Sequence, residues 1–152
     1  MTLFEKLPRW GKTLVLTSAI VLAIVLVGGL AKSAQEEQVW HEETKVFLCP
    51  TRDANHSPLT SEVRLSKLDI AACGETSLEL YGNPGVYVTW QRIANETSVG
   101  SRVDWIGRSS PANRALFKSE LPPNVITVPG QYLLAVSIGR LQVASYEFEV
   151  RP

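Results

Sequence analysis

The chain has 152 residues, 45% of them hydrophobic, and its 15 basic and 15 acidic side chains leave a formal net charge of zero. That length allows one domain with a real core beside a terminal segment, but not two domains. Residues 35–152 alone are mildly acidic, which with their expected location argues against nucleic acid as a partner.

The stretch Thr13–Ala31 (TLVLTSAIVLAIVLVGGLA) carries no charge and is flanked by Lys6, Arg9 and Lys12. Nineteen helical residues cover roughly 28 Å, close to the ~30 Å hydrocarbon core of a bilayer. The sequence therefore predicts a transmembrane helix over 13–31, a signal anchor longer than the 7–15-residue apolar core usual in a cleaved secretory signal. Three basic residues precede this stretch and the acidic run Gln35-Glu36-Glu37 follows it. The positive-inside rule then puts a basic segment, 1–12, in the cytoplasm and the rest of the chain in the periplasm or outside the cell. The expected location is a single-pass protein of a bacterial inner membrane, with the bilayer as one partner.

Residues 32–43 (KSAQEEQVWHEE) read as a polar stalk, and 44–152 as an extracytoplasmic domain. Short strands are expected at Lys45–Cys49, Glu62–Leu68, Ser77–Tyr81, Val86–Ile93, Arg102–Ile106, Gly130–Ile138 and Leu141–Val150. Asn83-Pro84-Gly85 and Gly139-Arg140 supply turns, the second joining the last two strands in a hairpin. Residues 107–124, rich in Ser, Pro and Asn, read as a long loop. About seven strands without helical periodicity predict an all-β sandwich. Cys49 and Cys73 are the two cysteines, and in an oxidising compartment an even count reads as one disulfide, worth roughly 3 kcal/mol for a loop of about 25 residues.

The order VYVTW, VDWIG, PGQYLLAVSIG, VASYEFEV resembles immunoglobulin-like β-sandwich accessory modules that carry a DWIG segment. The matching positions are Val88, Trp90, Asp104, Trp105, Ile106, Gly107, Gly130, Tyr132, Val136, Ala144, Phe148 and Val150, within residues 78–150. The resemblance implies an immunoglobulin-like fold and a module that binds or orients rather than catalyses. Trp90, Asp104, Trp105, Gly107, Tyr132 and Phe148 are expected to be structural. The two tryptophans fill the space between sheets, Asp104 forms a turn, and Gly107 takes a backbone angle closed to other residues.

Catalytic patterns are missing. His41-Glu42-Glu43 is followed by Lys45 where a zinc protease motif would place its second histidine. No G-x-S-x-G and no glycine-rich phosphate loop occurs, and the paired carboxylates Glu36/Glu37 and Glu42/Glu43 sit in the polar stalk. The sequence thus predicts no enzyme, no metal and no cofactor. It points to a membrane-anchored domain that binds another protein subunit as an accessory or assembly factor. The alternative is a carrier, chaperone or adhesion module taking an anionic lipid or glycan on Arg92, Arg102, Arg108, Arg114 and Lys118, a basic cluster diluted only by Glu96 and Asp104.

Overall fold

The computed structural model describes residues 9–53 and 56–152, with side chains described at Ser18 and from Ile20 onward. The expected cytoplasmic segment therefore lies outside the described residues at 1–8, as do the side chains of residues 13–17 and Ala19 of the expected membrane span. A 35-residue helix, α1, runs Arg9–Glu43. The chain divides into two compact units after Gln38.

In the first unit the described apolar run is Ile20–Ala31, all of it solvent-exposed, followed at once by Lys32 and its i,i+4 partner Glu36 at 3.8 Å. Among the described residues no helix is long and apolar enough to cross a membrane. This corrects the expected transmembrane helix over 13–31. The signal-anchor reading and the single-pass inner-membrane location rested on that helix and are corrected with it.

The second unit, Val39–Pro152, begins inside the expected stalk. Trp40 packs against the core, and His41 Nδ1 lies 3.1 Å from the Val143 carbonyl oxygen, so the last turn of α1 belongs to this domain. Among the described residues nine strands follow: β1 (Lys45–Pro50), β2 (Glu62–Arg64), β3 (Ile70–Thr76), β4 (Val86–Arg92), β5 (Ser98–Arg102), β6 (Asp104–Arg108), β7 (Ala115–Glu120), β8 (Gly130–Ile138) and β9 (Leu141–Arg151). They form a four-stranded sheet in the order β1-β3-β7-β6 and a five-stranded sheet in the order β2-β9-β8-β4-β5. All pairs are antiparallel except β2, which runs parallel to β9.

The core lies between the sheets. Leu48, Ala72 and Phe117 meet it from the first, and Val88, Trp90, Leu134 and Phe148 from the second. Alternation explains β4 and β7 directly. Val86, Val88 and Trp90 are buried while Tyr87 and Thr89 are half-exposed, and Ala115, Phe117 and Ser119 alternate in the same way. Period-2 burial of this kind is what a sheet with one covered face imposes.

Nine strands stand where about seven were expected, and the differences have local causes. Ser77–Tyr81 is no strand: Leu78–Leu80 forms one 3-10 turn, closed by the Tyr81 amide donating to the Leu78 carbonyl at 3.1 Å. Two leucines two residues apart are too short a pattern to separate the two conformations. The strand expected to reach Leu68 stops at Arg64, with a 3-10 turn over Leu65–Lys67. Strand β3 shows no alternation because six of its seven residues are buried, which hides the strand period. Strand β7 lies inside the expected loop 107–124, its six residues masked by polar and proline-rich flanks.

Candidate functional site

A sandwich exposes backbone hydrogen-bonding groups along its outermost strands, and proteins usually blunt such edges with short strands, bulges, charges or a covering segment. Four strands here are outermost: β1 and β6 in one sheet, β2 and β5 in the other. Three of them are blunted. On β1 the Leu48 carbonyl accepts from the Leu59 amide at 2.7 Å. Strand β2 is only three residues long. Strand β6 is broken by a register shift between Trp105 and Gly107, where Gly107 takes φ 138°, a value strained for any residue with a Cβ.

Strand β5 carries one charge, Arg102, but among the described residues it has neither a bulge nor a backbone hydrogen bond from a covering segment. It pairs with β4 in unbroken register from Tyr87↔Arg102 to Gln91↔Ser98. Ser98, Val99, Gly100 and Arg102 are exposed, and Val99 and the nearby Ile93 leave 39% and 43% of their surface open. Ser101 and Ser119 hydroxyls share a 2.6 Å hydrogen bond that ties β5 to β7 in the other sheet, and the single buried residue Val103 then leads into β6. A shallow depression beside the edge is lined by Pro84, Tyr87, Gly100, Ser101 and Arg102. At its rim the Tyr87 hydroxyl donates to the Gly139 carbonyl at 2.6 Å. The site is a flat, small-residue strand edge with one guanidinium at its end.

The five cations of the basic cluster are distributed over several strands. Arg102 ends β5. Arg108 ends β6 with its guanidinium 5.8 Å from the centre of the Tyr81 ring. Arg114 is engaged, Nη1 donating to Glu75 Oε1 at 2.9 Å, and Lys118 Nζ donates to the Thr51 carbonyl. Arg92 is half-buried at the end of β4, paired in register with Tyr132. Arg92 and Arg102 thus sit on the five-stranded sheet, and Arg108 and Lys118 on the four-stranded one.

The expected structural residues mostly sit in the core. Trp90 meets Phe148 edge-on at 6.3 Å, and Phe148 stacks on Tyr132 at 5.7 Å. The Tyr132 hydroxyl donates to the Val128 carbonyl at 2.8 Å, so a buried phenol is satisfied four residues upstream. Trp105 is half-buried between Tyr81 at 5.6 Å and Phe117 at 6.3 Å. Asp104 differs from expectation. It is an exposed strand residue paired with Lys118, rather than a turn former.

Cys49 and Cys73 form a disulfide with Cα atoms 5.8 Å apart. With Ala71 and the half-buried Phe47 they make a second small cluster, separate from the main core. His56, which the sequence gave no reason to place there, brings Nδ1 to 3.1 Å from Cys73 Sγ. Only the fold of the β1–β2 connection could reveal that contact, since His56 is seventeen residues from Cys73 in the chain.

No family model and no curated protein matches the chain. Among solved structures, it is similar to a Pseudomonas fluorescens alkylpurine DNA glycosylase AlkC bound to DNA containing an abasic site analog. The match has 12% identity and a TM-score of 0.40, and it covers 72% of this chain and 31% of that one. A likeness at that level bears on neither fold nor activity.

Proposed function

We propose that residues 39–152 form a binding domain with no catalysis of its own, which takes an extended segment of a partner protein alongside β5. The observation that supports this is the contrast among the four outermost strands: three are shortened, bulged or covered, and β5 alone is in unbroken register with its edge exposed. Strand addition draws affinity from main-chain hydrogen bonds and specificity from alternate side chains. Val99 and Ile93 offer apolar contacts for such a segment, and Arg102 favours an acidic residue at one end. The resemblance of residues 78–150 to accessory modules that bind or orient agrees with this reading, as does the lack of a catalytic pattern in the sequence.

A photo-crosslinking side chain placed at Val99, with a control at the exposed Ser145 on β9, tests the proposal. The partner should crosslink from Val99 and not from Ser145. In the reconstituted complex, amide exchange should slow across Ser98–Arg102. Val99→Lys should weaken binding about tenfold, equivalent to about 1.4 kcal/mol. Equal crosslinking from both positions, or unchanged affinity in Val99→Lys, rejects β5 as the site. Crosslinks between two copies of this chain would make the edge a self-association surface instead.

A further inference from the structure

The second cluster holds chemistry that the β5 edge does not use. Cys49 on β1 and Cys73 on β3 are fully buried in a cluster separate from the main core, and His56, between β1 and β2 in the chain, reaches Cys73. The two sulfurs and a His56 ring nitrogen lie within 4.8 Å of one another. Three donors each about 2.3 Å from a central ion stand about 4 Å apart in a trigonal arrangement. The bonded sulfurs and the His56 nitrogen stand closer together than that, so opening the sulfur–sulfur bond must first let the thiolates move apart to the spacing a three-coordinate ion requires.

We propose that, in the reduced chain, Cys49, Cys73 and His56 bind one copper(I) ion, so that the disulfide and the metal site are alternative states of the same cluster. Two thiolates and an imidazole are soft donors suited to copper(I), which accepts low coordination numbers, whereas structural zinc is almost always four-coordinate. Among the described residues, the cluster supplies three protein ligands and no fourth. Charge points the same way. Copper(I) with two thiolates and a neutral imidazole carries one net negative charge, and Lys118 stands opposite Cys73 in the β3–β7 register to offset it. Lys118 Nζ also donates to the Thr51 carbonyl, fixing one end of the connection that carries His56. The Asp53 carboxylate accepts from the Ser57 amide at 3.0 Å, bracing the same connection around His56.

The conversion balances with a dithiol as reductant. Its two thiols lose two electrons and two protons and become a disulfide. The Cys49–Cys73 bond breaks, and each sulfur takes up one proton. Copper(I) then displaces both protons as it binds.

The test uses the full chain, reduced with a dithiol under nitrogen, desalted, and titrated with copper(I) supplied as its bicinchoninate complex. The expected result is one copper(I) per reduced chain and none on the oxidised chain, with an X-ray absorption spectrum of two sulfurs and one nitrogen. His56→Gln should lose the nitrogen and weaken copper(I) binding at least tenfold, as loss of even a supporting group at a metal site does. The same variant should retain its disulfide and its thermal midpoint in air, which separates a ligand from a packing role. No uptake by the reduced chain overturns the proposal. So does binding by His56→Gln equal to the parent, including the case where the reduced chain unfolds and its thiols bind nonspecifically, which circular dichroism reports. Preferential uptake of zinc in competition with copper(I) overturns the metal assignment.

Discussion

At the scale of single residues, packing at close approach sets the tolerance to change. Gly74 on β3 lies where a Cβ would collide with the Lys45 carbonyl and with the ring of Phe117. Neither can move freely, since one is strand backbone and the other is fully buried core. Gly74→Ala should therefore cost about 2–3 kcal/mol by overpacking, read as a lower urea midpoint at unchanged slope. Gly100 is the contrast, with the nearest atom to an added Cβ 3.8 Å away on Tyr87. Gly100→Ala should change stability by less than about 0.5 kcal/mol. Trp90 behaves differently again: it is 1% exposed with its indole nitrogen buried and without a hydrogen-bond partner in the structure. Trp90→Ala should cost about 3–5 kcal/mol. Trp90→Phe should cost much less, because it keeps an aromatic ring against Phe148 and removes a buried donor.

At the scale of elements, strands were legible where burial is one-sided. Val86–Arg92 and the hairpin β8–β9 show alternating or long β-rich runs ended by turns, and their boundaries in the sequence match the structure within a residue. Strand β3 escaped because its outer face is covered too, and β5 because serine and glycine carry no strand preference of their own. The link between β3 and β7 shows what neighbouring strands contribute beyond propensity. Glu75 on β3 meets Arg114, just before β7, at 2.9 Å and Lys45 on β1 at 3.4 Å. A double-mutant cycle on Glu75→Gln and Arg114→Gln should return a coupling of about 0.5–1 kcal/mol, the range of pairs that remain partly exposed. The pair was not legible, since the two residues are thirty-nine positions apart.

At the scale of the whole molecule, the compact domain starts at Val39 and not at the end of the polar stretch. A chain beginning at Val39 should unfold cooperatively with the same midpoint as residues 39–152 show within the full chain. A chain beginning at Lys45 should lose about 2–4 kcal/mol, because it removes Trp40 from the core surface and His41 from the Val143 carbonyl. The disulfide closes a loop of 24 residues in sequence. Replacing both cysteines by alanine should lower stability by about 3 kcal/mol through the freed unfolded chain, measured by urea unfolding under non-reducing conditions.

The sequence by itself determined the strands with one covered face, the turn that joins β8 to β9, and the pairing of the only two cysteines, because each depends on local periodicity or on counting. It also suggested a membrane span, whereas no helix among the described residues is long and apolar enough to cross a membrane. Tertiary structure alone decided which strands lie outermost, that the five cations are spread across two sheets, and that His56 joins Cys49 and Cys73. Those outcomes depend on contacts between residues far apart in the chain, and contact energies of that kind leave no trace in the pattern around any one residue.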